Sequence, residues 1–163
     1  GLAPALRPPR AGSLSLEDAE PELSEGDVLV DMKASAVTGR DLFAVYGYAS
    51  GTSSGSVAGL TGAGLSGGRA VLVTKPSRGG TWSGSAAAAA GELVPLPEGI
   101  SMQDAALLPA AATAHLALQL APPSPGDVVL VNTASTTGLA AVQLAVAAGA
   151  SAAAVLPPGA GAG

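Results

Sequence analysis

PSPGDVVLVNTASTTGLAAVQLAVAAGA, residues 123–150, carries the clearest fold signal in this chain. Its segment Asp127–Asn132 contains a continuous apolar run, which is typical of a strand buried on both faces of a sheet. A polar turn over 133–137 leads into an Ala-rich helix predicted from about Gly138 to Ala148, and 151–156 is predicted to be a second buried strand. This order of strand, turn, helix and strand predicts the opening unit of a doubly wound parallel sheet in an α/β protein.

The part of the chain before this unit favours short strands. Asp27–Val37 alternates apolar and polar residues, as a half-buried strand does, and Ala70–Val73 and Glu92–Pro97 are predicted to be further strands. The Gly/Ser-rich passage Ala49–Gly68 has room for only short strands and turns. Residues 1–26 are rich in proline and acidic side chains, and we expect them to form a solvated lead-in.

A helical segment connects the two regions. Ser101, followed three residues later by Asp104, resembles a capping box, and an apolar run follows it. Pro109 interrupts this run and is expected to break or kink the helix, which then continues over 110–120. The composition of Pro122–Gly126 predicts a linker.

These patterns predict three segments. Residues 1–100 form a mostly-β domain, 101–124 form connecting helices and a linker, and 125–163 form an incomplete doubly wound unit. The chain has 163 residues with 23 Gly, 13 Pro and only four aromatic side chains. Small side chains bury little area each, so we expect marginal stability for the chain alone.

Charge and composition exclude several classes of function. The formal net charge of −5 argues against a nucleic-acid groove, which needs clustered Lys and Arg. With no cysteine and a single histidine, His115, a zinc site lacks ligands, and the compartment is left open. The uncharged stretch Gly138–Leu156 is mostly Ala, contains Gln143 and has no basic flank, so membrane insertion is not expected.

Three passages together resemble a known family. Residues 24–48, 91–118 and 123–150 are similar, in this order, to zinc-free medium-chain dehydrogenase/reductases. The Gly-Thr-Trp at 80–82 is similar to mitochondrial-type 2-enoyl thioester reductases, whereas AGSLSL at 11–16 looks more like the enoyl-reductase domains of polyketide and fatty-acid synthases. The resemblance implies a GroES-like mostly-β domain followed by a partial Rossmann-like domain.

The resemblance also implies where a dinucleotide would bind. In the family, the pyrophosphate lies on a Gly-rich turn at a helix N-terminus, and the matching candidates here are Asn132, Ser135, Thr136, Thr137 and Gly138. The turn has one glycine where most relatives have two or three, and it is one residue short. We therefore expect a structural strand-to-helix turn with no cofactor retained, NADPH being the cofactor if the chain is active.

Two other features depart from the family pattern. The second strand ends in Val155–Pro158, with neither the acid that recognises NAD nor the base that recognises NADP. The Asn-x-x-Asp turn has become Thr38–Asp41, which keeps only the Asp. In thioester reductases, a tyrosine after the first turn donates or orients a proton. Its best match here is Tyr48, with Tyr46 as the alternative. If this residue is not catalytic, we expect a half-buried tyrosine with its hydroxyl in water.

Two functional hypotheses follow. In the first, the chain is a degenerate, non-catalytic enoyl-reductase-like protein that serves as an accessory or structural subunit of a larger assembly. Other protein subunits would then cover about 128–163, because two strands and one helix leave apolar surface and a sheet edge in water. In the second, it is part of a working NADPH-dependent 2-enoyl thioester reductase or quinone oxidoreductase.

Overall fold

The computed structural model describes residues 2–8, 10–48, 56–74 and 79–156. The chain divides into two compact units, Gly1–Leu107 and Leu108–Gly163, and each is described by itself. Strands dominate the first unit, and a strand–helix–strand motif dominates the second. The predicted α/β class is therefore confirmed.

Among its described residues, the first unit contains two antiparallel sheets, one complete short α-helix and a 3₁₀ helix at Ala90–Glu92. Its strands are β1 Ala3–Arg7, β2 Ser15–Ala19, β3 Asp27–Ser35, β4 Thr61–Ser66, β5 Arg69–Thr74, β6 Ser85–Ala89 and β7 Leu93–Pro95, and its helix is α1 Gly39–Val45. Strands β1 and β2 pair with each other, and the other five form a sheet in the order β6-β3-β4-β5-β7. The strands predicted over 27–37, 70–73 and 92–97 are thus present, the last of them shortened to three residues.

The prediction that residues 1–26 form a solvated lead-in is wrong in part. Its acidic side chains are exposed, as expected, but β1 and β2 form an antiparallel pair within it. Ala5, in the middle of β1, is buried and bridges to Ser83. One buried alanine in a five-residue strand leaves almost no alternating pattern, so the sequence alone did not reveal these strands.

The core of the first unit is built from alternate residues of three strands. Val30 and Met32 of β3 pack with Val71 and Val73 of β5 and with two alanines of β6. Close strand spacing depends on a glycine, because a Cβ at Gly64 would lie 2.3 Å from the carbonyl oxygen of Asp31. Small residues in the middle of this sheet therefore allow the backbones to approach each other.

The Gly-Thr-Trp passage at 80–82 is structural. Trp82 is buried, and its Nε1–H donates a hydrogen bond of 2.8 Å to the carbonyl oxygen of Ala36. A Cβ on Gly80 would lie 2.0 Å from the carbonyl oxygen of Ala58, so the two backbones touch there. Trp82 therefore belongs to the core of the first unit.

Helix α2, Met102–Gln119, is continuous through Pro109, so the helix does not break there. A kink at Pro109, the other expected outcome, stays a prediction. Proline removes one backbone donor, but an 18-residue helix retains its other bonds. The predicted cap is present in modified form. The Ser101 hydroxyl accepts the Asp104 N–H at 3.0 Å, and it donates to the Asp104 carboxylate at 2.6 Å.

The second unit contains the predicted β-α-β motif. Strand β8 (Val128–Val131) and strand β9 (Ser151–Ala154) are parallel, and helix α3 (Thr136–Ala147) connects them. The prediction that β8 is buried on both faces is wrong for the described chain, because Val128 is 73% exposed and Leu130 is 69% exposed. Helix α3 covers only the opposite face of this two-stranded sheet, where Val131 is buried.

Among the described residues, no helix has the length and apolar character needed to cross a membrane.

Candidate functional site

The candidate cofactor turn follows β8 and leads directly into α3. Ser135 is the N-cap of α3, and its Oγ accepts the backbone N–H of Gly138 at 3.2 Å. The Thr133 hydroxyl oxygen in turn accepts the backbone N–H of Ser135 at 3.1 Å. Asn132 and Ser135 are exposed, so the outer side of the turn is open to solvent. These bonds fix the backbone where the helix begins.

Gly138 allows α3 to start very close to the end of β8. A Cβ at this position would lie 2.4 Å from the carbonyl oxygen of Thr133 and 2.6 Å from its Cγ2. Any larger residue would therefore push the turn away from the helix. A glycine at this position therefore permits close packing of the helix against the end of the strand.

The N-terminus of α3 offers backbone donors to an anion. Within the described chain, the N–H groups of Thr136 and Thr137 have no hydrogen-bond acceptor. The helix dipole adds partial positive charge at the same place. No charged residue follows Asp127 in the sequence, so charged side chains of residues 128–163 add neither attraction nor repulsion for a phosphate.

The turn and the start of α3 fit the pyrophosphate of a dinucleotide better than the end of β9 fits its ribose. A pyrophosphate matches the N–H groups and the hydroxyls of the turn. Strand β9 ends at Ala154, and the next two residues, Val155 and Leu156, offer no side-chain partner to a ribose hydroxyl or phosphate. Pro157 and Pro158, the rest of the predicted strand end, lie outside the described residues.

The candidate tyrosines lie in the first unit, just beyond α1. Tyr46 is the C-cap of this helix, and Tyr48 follows two residues later. Tyr46 is 53% exposed and Tyr48 is 78% exposed, so Tyr48 is less buried than the expected half-buried role implies. Because no substrate is present, a catalytic role for either residue stays a prediction.

Asp41 organises the start of the same helix. The residue is only 1% exposed, and its Oδ2 accepts the N–H of Thr38 at 2.8 Å and the hydroxyl of Thr38 at 2.5 Å. Its Oδ1 accepts the N–H of Leu60 at 2.8 Å, which links α1 to the segment entering β4. The retained Asp of the altered Asn-x-x-Asp turn is thus a structural residue. Its long-range bond to Leu60 left no signal in the sequence.

His115 lies exposed on α2, where its Nε2 is 3.0 Å from the Gln119 side-chain nitrogen. Over the described ranges, no cluster of three or more His, Cys, Asp or Glu residues is placed to hold a metal ion.

Comparison with solved structures identifies the fold. No protein-family model and no curated protein sequence matches the chain. The Thermus thermophilus quinone oxidoreductase, whose structure was also solved in complex with NADPH, is 35% identical with a TM-score of 0.77, and the match covers 94% of this chain and 54% of that one. The CurF ER cyclopropanase of curacin A biosynthesis is 26% identical with a TM-score of 0.79, covering 96% and 55%.

An alcohol dehydrogenase from Pyrobaculum aerophilum has the same fold at 23% identity, with a TM-score of 0.83 and coverage of 97% and 60%. The chain therefore spans little more than half the length of these structures. The sheet order of the first unit and the parallel β-α-β motif of the second agree with a GroES-like domain followed by a partial Rossmann-like domain. This chain belongs to the medium-chain dehydrogenase/reductase superfamily and has the quinone- and enoyl-reductase-like fold within it.

Proposed function

We propose that this chain forms the GroES-like domain and the first nucleotide-binding unit of an NADPH-dependent oxidoreductase that reduces a quinone or an enoyl thioester. The observation that carries the proposal is the start of α3, where Gly138 packs against Thr133 and the N–H groups of Thr136 and Thr137 have no acceptor among the described residues. This geometry suits the pyrophosphate of a dinucleotide. The 35% identity to a quinone oxidoreductase solved with NADPH supports the choice of cofactor.

Each residue of the turn has a defined part in this proposal. The N–H groups of Thr136 and Thr137 would donate to pyrophosphate oxygens, and the exposed Ser135 hydroxyl could add a third donor, since its oxygen already accepts the Gly138 N–H. When bound, NADPH supplies the hydride for the reduction. The protein's own contribution is to bind the phosphates and to hold the backbone of the turn through its two local hydrogen bonds.

A titration of the purified chain with NADPH, followed by nicotinamide fluorescence, tests this proposal. We expect saturable binding that weakens about tenfold or more in Gly138→Ala, because the added methyl group displaces the turn by more than a hydrogen bond tolerates. Gly39→Ala is the matched control: Gly39 also lies in the first turn of a helix, but a Cβ there meets nothing within 4 Å. Absence of saturation at millimolar NADPH contradicts the proposal.

A second candidate function is a non-catalytic subunit of a larger assembly. It is favoured by the single glycine of the turn and by the neutral end of β9, which gives a cofactor's ribose no partner among the described residues. The exposed Val128 and Leu130 side chains would then contact other protein subunits, over a surface proposed to span 128–163. Residues 157–163 of that surface lie outside the described residues.

The two functions predict opposite results. For the subunit, NADPH does not bind, and Leu130→Asp abolishes association with a co-purified partner because it places a charge on the apolar face. Leu120→Asp, at a side chain that is 90% exposed after α2, is the control and should leave association unchanged. NADPH binding combined with unaltered association in Leu130→Asp refutes the subunit function.

A further inference from the structure

Strand β2 is an open edge of the first unit. On the side of β1 that faces away from β2, the Leu6 N–H donates to the carbonyl oxygen of Trp82 at 2.8 Å, and the Gly84 N–H donates to that of Pro4 at 2.8 Å. Leu6 and Pro4 therefore turn their backbone groups away from β2, and the residues that alternate with them form the ladder to β2. Among the described residues, β2 pairs with no strand other than β1.

The ladder leaves every second residue of β2 without a backbone partner. Ser15, Glu17 and Ala19 lie opposite the residues of β1 that face β2, so their backbone groups are paired. The N–H and carbonyl groups of Leu16 and Asp18 point to the outer edge, where they have no hydrogen-bond partner within the described ranges. Unpaired backbone groups of this kind form a template on which an extended segment of another chain can pair.

The side chains at this edge combine apolar surface with negative charge. Leu16 is 72% exposed and lies opposite the half-buried Leu6, so the two leucines share one face of the strand pair. Glu17 and Asp18, the next residues of the strand, are exposed. Residues 1–26 hold five acidic residues and only two basic ones, and all five acidic side chains are exposed. A strand that pairs here therefore meets an exposed leucine beside concentrated negative charge.

We propose that the β2 edge binds an extended segment of another protein that carries Lys or Arg next to an apolar residue. The backbone of this segment bonds with Leu16 and Asp18, its apolar side chain covers Leu16, and its basic side chains meet Glu17 and Asp18. A second copy of this chain does not fit the edge. Pairing of β2 with its own copy brings the acidic side chains of two strands together, and like charges on neighbouring strands are destabilising.

Amide hydrogen exchange of the purified chain, followed by nuclear magnetic resonance, tests the proposal. The probe is the peptide acetyl-Val-Lys-Lys-Val-Thr-amide, which matches the five residues of β2 when it pairs antiparallel. It then places Val opposite Leu16 and Lys opposite Glu17 and Asp18. At a peptide concentration of about ten times Kd, exchange of the Leu16 and Asp18 amides should slow about tenfold. The amides of Ser15, Glu17 and Ala19 should change little, because β1 already protects them.

Three outcomes of this experiment overturn the proposal. The first is binding without the alternating protection, which shows general attraction to the acidic surface. The second is absence of binding at millimolar peptide. The third is protection of the Leu16 and Asp18 amides that rises with protein concentration when no peptide is present, because the occupant is then a second copy. The acidic peptide acetyl-Val-Glu-Glu-Val-Thr-amide should leave all five amides unchanged, and equal protection by both peptides also refutes the choice of a basic partner.

Matched charge variants test the role of the acidic side chains. Asp18→Asn keeps the shape of the side chain and should weaken peptide binding by about two- to fivefold, the factor that one exposed ion pair contributes. Glu25→Gln is the control, since Glu25 is an exposed acid of the same segment that lies outside β2, and its effect should be smaller because salt screens distant charges. Equal weakening in both variants refutes pairing at β2. The test contains no cofactor, so its result does not depend on the proposed oxidoreductase function.

Discussion

Substitution of Gly138 by alanine should destabilise the second unit, and the structure allows the size of the effect to be worked out. The new Cβ would lie 2.4 Å from the carbonyl oxygen of Thr133, so that backbone atom must retreat by about 1 Å to reach ordinary contact. Overpacking of this kind costs about 1–3 kcal/mol. The higher helix propensity of alanine returns up to about 1 kcal/mol. Subtracting that gain in full leaves a net loss of about 0–2 kcal/mol, with about 1 kcal/mol at the middle of the range.

Gly39→Ala is the control that separates the steric contact of the new Cβ from the gain in helix propensity. A Cβ at Gly39 meets nothing within 4 Å, so this variant should be neutral or more stable by up to about 1 kcal/mol. Urea unfolding followed by circular dichroism gives the free energies of unfolding, and hydrogen exchange of the amides of β8 and α3 reports on the second unit alone. If Gly138→Ala matches the wild-type chain in both measurements, the close approach at the turn is not tight.

Three further substitutions probe other contacts. Asp41→Ala should lower the free energy of unfolding by about 2–4 kcal/mol, because two part-buried backbone donors, those of Thr38 and Leu60, lose a buried acceptor. Asp127→Ala, at an exposed carboxylate with the same local bond to a backbone N–H, should cost less than about 1 kcal/mol. Equal losses in urea unfolding would refute this. Trp82→Phe should cost about 1–3 kcal/mol, since the buried carbonyl oxygen of Ala36 loses its donor, and an unchanged urea midpoint would contradict it. Pro109→Ala should stabilise the chain by about 1–3 kcal/mol by restoring a backbone donor inside α2, with a thermal midpoint that fails to rise as the contrary result.

The sequence was most informative where a pattern runs over many residues. The apolar run of β8, the Ala-rich helix and the second apolar segment predicted the β-α-β motif, and β8, α3 and β9 confirm it. Periodicity of this kind reflects which backbone faces are covered, and it is written in the residues themselves. The alternation over 27–37 predicted β3 for the same reason.

The sequence missed two short strands, and it wrongly indicated a break in one helix. Strands β1 and β2 have five residues each and sit in a Pro-rich, acidic context, so no period could be recognised. The continuous α2 shows that neighbouring helical bonds can compensate for one proline. The Pro-rich context of β1 and β2 and the proline inside α2 both argue locally against regular structure. In each case, bonds to other residues of the fold or the helix outweigh that local signal.

The resemblance of three passages to a known family indicated the superfamily, and it implied the turn from Asn132 to Gly138 and the tyrosines at 46 and 48, because a resemblance is carried by local features of the sequence. Three-dimensional contacts alone showed that Gly138 touches Thr133, that Asp41 holds Leu60 across the chain, and that the Tyr46 ring rests on Gly12. The physical reason is that such contacts join residues from separate elements at distances of a few ångströms, and no residue carries a mark of its distant neighbour.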